Sequence, residues 1–317
     1  MADRKIIAVV GATGAQGSGL VRAILEDPRG GFAARAITRD VNSEAARALA
    51  ALGAEVVAGD VDDPASIDRA FAGAWGAYCV TFFWAHFSPE KELAQAATMA
   101  GAARKAGLSH VIWSTLEDTR RFVPLDDARM PTLQGRYKVP HFDAKGEANR
   151  LFTEAGVPTT FLHTSFYWDN LIHFGMGPKK GADGALLFTL PMGDRKLPGI
   201  AAEDIGRAAY GIFKGGREYV GRSVGIAGAH LTGAEMAAAL TRALGREVRY
   251  DEVTPEAYRG FGFPGADDLG NMFQFKRDFE REYVASRDIG LSRRLHAGLL
   301  DFDGWLARHK GRIPLEA

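Results

Sequence analysis

Ile6-Ile-Ala-Val-Val10-Gly11-Ala-Thr-Gly14-Ala-Gln-Gly17 is the stretch whose reading decides the fold. Residues 6–10 form a short β-branched run with no polar alternation, the pattern of a strand covered on both faces in a parallel sheet. Residues 16–26 then place Leu20, Ile24 and Leu25 on one helical face, and Asp27-Pro28-Arg29-Gly30-Gly31 stops the helix. Gly11 permits the turn out of the strand, Gly14 a close approach of backbone to ligand, and Gly17 tight packing of the helix. The N–H groups and dipole of a helix that starts there suit a pyrophosphate. A glycine triplet alone is weak, but strand before, helix after and further βα units behind it meet the context that a dinucleotide site requires.

The same rhythm continues outward. Strands are expected at 34–38, 55–58, 77–82, 110–114 and 159–163, with helices at 43–52, 88–107 and 141–155. Ser88 before Pro89 reads as an N-cap followed by an N1 proline. Alternating β and α elements predict an α/β fold, a doubly wound parallel Rossmann sheet. Beyond about residue 180 the rhythm loosens into helices at 204–214 and 232–244 and a strand at 247–253. The second of these helices opens with a Thr232-x-x-Glu235 capping box. Thr254-Pro255 starts a further short helix, and Phe261-Gly-Phe-Pro264-Gly breaks the chain. The expected organisation is a nucleotide-binding Rossmann domain over 1–165, its sheet completed by segments from the C-terminal half. A smaller α+β domain over 166–317 would serve a substrate or partner. Residues 119–140, with arginines, aspartates and prolines but no periodicity, are expected to be irregular.

Composition narrows the function. Thirty-nine basic and thirty-nine acidic residues cancel, so no global field favours nucleic acid or an anionic membrane. Cys79 is the single cysteine, which excludes an intrachain disulfide and a cysteine-based zinc cluster, and no metal site is expected. The start, Met1-Ala-Asp-Arg-Lys5, runs into an apolar segment too short for a signal peptide, and no stretch approaches the roughly 18 apolar residues of a membrane helix. A soluble cytoplasmic protein is the expectation.

The nucleotide contacts follow from the strand ends. Thr13, Ala15 and Gln16 share the glycine loop with Gly11, Gly14 and Gly17. Thr38-Arg39 ends the second strand about 20 residues later, where an NAD enzyme carries an acid for the ribose 2′-hydroxyl. A guanidinium there suits a 2′-phosphate instead, through charge-assisted bidentate bonds, and so points to NADP(H). Asp60 and Val61, after the third strand, would flank the adenine. Thr81, Phe82 and Phe83, after the fourth, would line the nicotinamide side.

The glycine loop with Thr38-Arg39 resembles the NmrA-like group of atypical short-chain dehydrogenases/reductases. So do His141-Phe-Asp-Ala-Lys145-Gly-Glu147, Tyr167-Trp-Asp-Asn170-Leu171 and Gly262-Phe-Pro-Gly265-Ala-x-Asp268-Leu-x-Asn271-Met-Phe273, which look like the redox-sensor branch. The resemblance covers nearly the whole chain. It implies an NADP(H)-binding redox sensor or regulator, with a regulated protein partner and a homodimer left open. The alternative it implies is an NADPH-dependent quinone or enone oxidoreductase with a small quinone-like substrate. It also places Tyr167, Trp168 and Asn170 beside the nicotinamide.

Typical short-chain reductases carry Tyr-x-x-x-Lys on one helix, and this chain has His141-x-x-x-Lys145. The i, i+4 spacing puts both side chains on one face, so Lys145 can grip the nicotinamide ribose. His141 reads equally as the acid of a reductase, since imidazole titrates near neutrality, or as a helix-start histidine without catalytic duty. Tyr167 is the reserve proton donor, and Ser114 matches the serine that polarises a carbonyl in the family.

Overall fold

A β-branched run with no polar partner along it must be covered on both faces, and β1 (Lys5–Val9) sits inside a seven-stranded sheet. The computed structural model describes residues 4–315. After β1 come α1 (Ala15–Glu26), β2 (Phe32–Thr38), α2 (Glu44–Ala51), β3 (Glu55–Ala58), α3 (Pro64–Phe71) and β4 (Gly76–Cys79). Then α4 (Pro89–Lys105), β5 (His110–Thr115), α5 (Pro140–Glu154) and β6 (Thr159–His163) complete the alternating part. The Ser88 side chain caps α4 as its place before Pro89 predicts, accepting from the Lys91 amide, and Ser43 caps α2 in the same way on the Ala46 amide.

The second half contains β7 (Phe166–Tyr167), α6 (Asn170–His173), β8 (Lys179–Lys180), β9 (Leu186–Leu190), β10 (Leu197–Ile200) and α7 (Ala202–Gly215). β11 (Ser223–Gly225), β12 (Ala229–Leu231), α8 (Gly233–Leu244), β13 (Val248–Glu252) and α9 (Pro255–Arg259) follow. The described chain closes with α10 (Ala266–Asp278), α11 (Glu280–Ala285), α12 (Ile289–Leu295) and α13 (Phe302–His309). Thr232 and Glu235 form both halves of the expected capping box on α8.

The large sheet runs β11-β6-β5-β4-β1-β2-β3, and every pairing in it is parallel. The order reverses at β1 and β4, whose C-terminal ends open the crevice where doubly wound sheets bind ligands. Two apolar clusters cover its faces, one under α1 and α7 and one under α3, α4 and α5. α7 arrives from the second half and lies against α1 so closely that a Cβ on Gly19 would stand 2.2 Å from the Glu203 carbonyl oxygen. A third cluster fills the second half, around Trp168, Phe273 and Trp305. Two three-stranded sheets, β12-β10-β7 and β13-β9-β8, border it.

The structure corrects the expected elements in two places, after β4 and beyond Gly260, and adds detail in a third. The fourth strand stops at Cys79, and Phe83–Ala85 form a 3-10 turn that packs the aromatic run against neighbouring helices. Residues 119–140 are largely irregular but not loose: Tyr137, Lys138 and Val139 are buried, and Lys138 Nζ donates to the carbonyls of Asp127 and Met130 at 2.8 and 2.6 Å. Beyond Gly260 the chain is helical where little was expected. α10 buries Asp268, Asn271, Gln274 and Lys276, which breaks the apolar periodicity that marks a helix in sequence.

Candidate nucleotide site

Gly11 leaves β1 with φ of +64°, and the Gly14 amide donates back to its carbonyl at 2.9 Å. α1 then starts against the loop, where a Cβ on Gly17 would lie 2.4 Å from the Gly11 carbonyl oxygen, so only glycine fits. Gly14 is the N-cap and no side chain caps the first turn of α1, which leaves those N–H groups to a ligand or solvent. Thr13, Gly14 and Ala15 are exposed, Gln16 half-buried. The loop is tied to the end of β2 by the Ala12 amide donating to the Ile37 carbonyl at 3.3 Å.

Thr38 is half-buried and Arg39 exposed at that strand end. The Gly59 amide donates to the Thr38 carbonyl at 3.0 Å, which brings Asp60 and Val61 beside them, both half-buried. Asp60 shapes its own turn, its carboxylate accepting from the Asp62 amide at 3.0 Å.

Across the crevice lies a polar floor. Gln16 Nε2 donates to the Tyr167 hydroxyl at 2.5 Å, and its Oε1 accepts from Ser114 Oγ at 2.8 Å and from the Tyr78 hydroxyl. Tyr167 also meets Thr164 Oγ1 at 3.4 Å, and burial pushes its phenol up to about 12. At neutral pH that hydroxyl is a hydrogen-bond donor rather than a base. Glycine loop, β4, β5 and β7 thus converge on one amide side chain.

Lys145 is on the second turn of α5, where its backbone carbonyl accepts from the Oγ1 of Thr115, the residue after Ser114 on β5, at 3.0 Å. Its ammonium lies 2.6 Å from Glu92 Oε1 and donates to the Thr81 Oγ1 and carbonyl at 2.5 and 3.3 Å. Thr81 Oγ1 in turn contacts Glu92, whose side chain is fully buried. Phe82 is 59% exposed at the rim, and Asn170 is half-buried at the start of α6.

Three rings singled out in the sequence face elsewhere. His141 is buried: its Nδ1 lies 2.6 Å from Asp268 Oδ1, and its backbone amide donates to Asp268 Oδ2 at 3.1 Å. Trp84 and Phe142 close over that ring, with centroids at 4.7 and 4.8 Å. Phe83 joins the same aromatic cluster, 5.9 Å from His141, because the 3-10 turn swings it inward. Trp168 points into the second core, against Phe302 and Trp305. Of His141, Lys145 and Tyr167, then, Tyr167 lies on the polar floor with Gln16, Lys145 is held by Thr81 and Glu92, and His141 faces Asp268 instead.

Sequence reading did not assign Glu92, Tyr78 or a role for Asp268. Glu92 did leave a signal: with Gln95, Ala96, Met99 and Ala103 it forms the buried face of α4, and an acid on an otherwise weakly polar buried face needs a cation. Tyr78, inside a strand, left none.

The NmrA-like family model matches residues 3–306. This chain belongs to the NmrA-like family. It is 30% identical over 305 residues to the NmrA-like family domain-containing oxidoreductase FrzB of Cladobotryum sp., covering 88% of this chain and 86% of that one. It is 31% identical over 276 residues to the NAD(P)H azoreductase of Xenophilus azovorans, covering 84% and 86%. Among solved structures it is similar to the negative transcriptional regulator NmrA in complex with NAD, at 25% identity and a TM-score of 0.77, covering 96% of this chain and 94% of that one. Relatives thus include both a regulator and oxidoreductases, on the fold described above. No described helix is long and apolar enough to cross a membrane.

Proposed function

We propose that this chain is an NADP(H)-binding redox sensor or regulator of the NmrA-like kind. One observation carries the reading: the helix-borne Lys145 is held by Thr81 and Glu92, while the residue one turn before it, where typical short-chain reductases keep a tyrosine acid, is a histidine sealed against Asp268. The residues fit a dinucleotide. The uncapped first turn of α1 and the glycine loop leave room and N–H donors for a pyrophosphate. Arg39, exposed at the end of β2, suits a 2′-phosphate, with Thr38, Asp60 and Val61 around the adenosine. Lys145 would hold the nicotinamide ribose, with Thr81 and the Gln16–Tyr167 floor beneath the ring. Bound NADPH would supply hydride, and the chain's contribution is binding and orientation.

A second reading, an NADPH-dependent reductase of quinone-like acceptors, is favoured by the Tyr167 hydroxyl on that floor and by the azoreductase among the relatives. A quinone tolerates a remote proton source, so it asks less of the protein than a ketone does. NADPH oxidation followed spectrophotometrically against ketones, aldehydes and quinones separates the readings. Ketones and aldehydes should turn over negligibly, since the positioned acid worth about 10² to 10⁴ in rate is missing. Brisk ketone reduction that Tyr167→Phe abolishes would overturn the sensor reading and make Tyr167 the acid.

A further inference from the structure

A fully buried carboxylate is costly unless it is paired, so a buried acid inside a ligand crevice calls for an explanation. Glu92 is such an acid. It enters from α4, outside every motif that marks the nucleotide site, and its Oε1 lies 2.6 Å from Lys145 Nζ. Thr81, two residues past β4, closes a triangle: its hydroxyl accepts from Lys145 at 2.5 Å and donates to Glu92. The second carboxylate oxygen has no hydrogen-bond partner among the described residues and faces His86 Nε2 at 3.7 Å. The ammonium is therefore fixed by three acceptors on two separate segments: the Glu92 carboxylate, the Thr81 hydroxyl and, more loosely at 3.3 Å, the Thr81 carbonyl, the contact a ligand oxygen would most readily replace.

We infer that Glu92 is a positioning residue for Lys145, holding its ammonium at the point in the crevice where the nicotinamide ribose of NADP(H) would meet it. A lysine side chain has four rotatable bonds, and a free one would have to be ordered each time cofactor bound. Glu92 does that ordering in advance from α4, a helix outside the glycine loop motif. Trp113, with its ring 5.3 Å from the ammonium, walls the other side of the stem. The inference rests on the proposed binding of NADP(H) and adds a residue that neither the motif nor the spacing supplies.

A double-mutant cycle tests it. NADPH affinity is titrated for the wild type, Glu92→Gln, Lys145→Met and the double variant, with thermal melts alongside. Adenosine 2′,5′-bisphosphate, which lacks the nicotinamide ribose, is the control ligand. Glu92→Gln is nearly isosteric and keeps the Thr81 contact, so it should fold. It should weaken NADPH by about tenfold in the wild-type background, the size of one charge-assisted hydrogen bond mispositioned, and have no effect once Lys145 is Met. The bisphosphate should bind all four proteins alike. Equal losses in both backgrounds, a gain of affinity, or a matching loss for the bisphosphate would each overturn the role assigned to Glu92. If the wild type binds neither ligand, the failure lies instead with the proposed function.

Discussion

The first and second turns of α5 carry His141 and Lys145 on one face, yet they belong to different parts of the molecule. The first turn is stapled to the second half of the chain: Asp268, at the start of α10, accepts from both the ring and the backbone amide of His141. The second turn is held by the large sheet and its helices, through Thr81 after β4 and Glu92 on α4. One helical turn therefore separates a joint from a site. Spacing alone puts the two side chains on the same face, and only partners distant in sequence decide what each does.

Breaking the joint should give the largest effect. His141→Ala removes one member of a buried pair and leaves Asp268 with the backbone amide alone, so it should cost about 3 kcal/mol of stability, the low end for such a break. Urea denaturation measures the loss, and NADPH affinity under native conditions should stay near the wild-type value. A stable variant with much weakened NADPH binding would reverse the assignment of the two turns.

The loss from breaking the site should fall on cofactor binding, beyond any stability lost by leaving Glu92 buried without its cation. Lys145→Ala should weaken NADPH by about 1.5 to 3 kcal/mol, roughly 10- to 150-fold, because a charged hydrogen bond is lost. Calorimetric titration checks it, and an unchanged affinity would detach Lys145 from the cofactor.

A third substitution sharpens the contrast from the far side of the joint. Lys276 on α10 is buried with its ammonium over the rings of Phe142, Phe273 and Tyr283, its one hydrogen-bond partner among the described residues the Met272 thioether at 3.3 Å. Burial, aided by the nearby Arg287, pulls it down to about 7. Its folded value lies below the unfolded one, so the folded chain binds fewer protons between the two, and stability rises with pH through about 7 to 10.5. The destabilising contribution is at full size below about pH 7 and is relieved as pH rises through that window. Lys276→Met should therefore gain about 1 to 2 kcal/mol at pH 6, with the difference from the wild type shrinking toward pH 10. Melts across that range read it out, and a pH-independent difference would contradict the burial argument.

The same two turns show what was legible in the chain. The β1 strand, the glycine loop and α1 announce themselves because their requirements are local: apolar run, positive φ at Gly11, and no space for a Cβ at Gly17. Lys145 is legible for the same reason, by its offset within one helix. Glu92 and Asp268 are not, because each matters only through a partner that the fold delivers from another element. Strands such as β7 and β11 are too short to show a period, and the polar residues buried in α10 hide the face that packs. Phe83 and Trp168 illustrate the converse: their positions after β4 and at the end of β7 suggest the crevice, but large rings are drawn to whichever core is nearest, and here that core lies behind them.

The central claim is that this crevice is built for NADP(H), and competition between the two dinucleotides tests it most directly. Fluorescence titration of the purified protein should show NADPH bound at least about tenfold more tightly than NADH, equivalent to about 1.4 kcal/mol, because Arg39 meets a dianionic phosphate. Arg39→Asp should erase or invert that preference. Equal affinities for the two dinucleotides in the wild type, or no binding of either, would contradict the account.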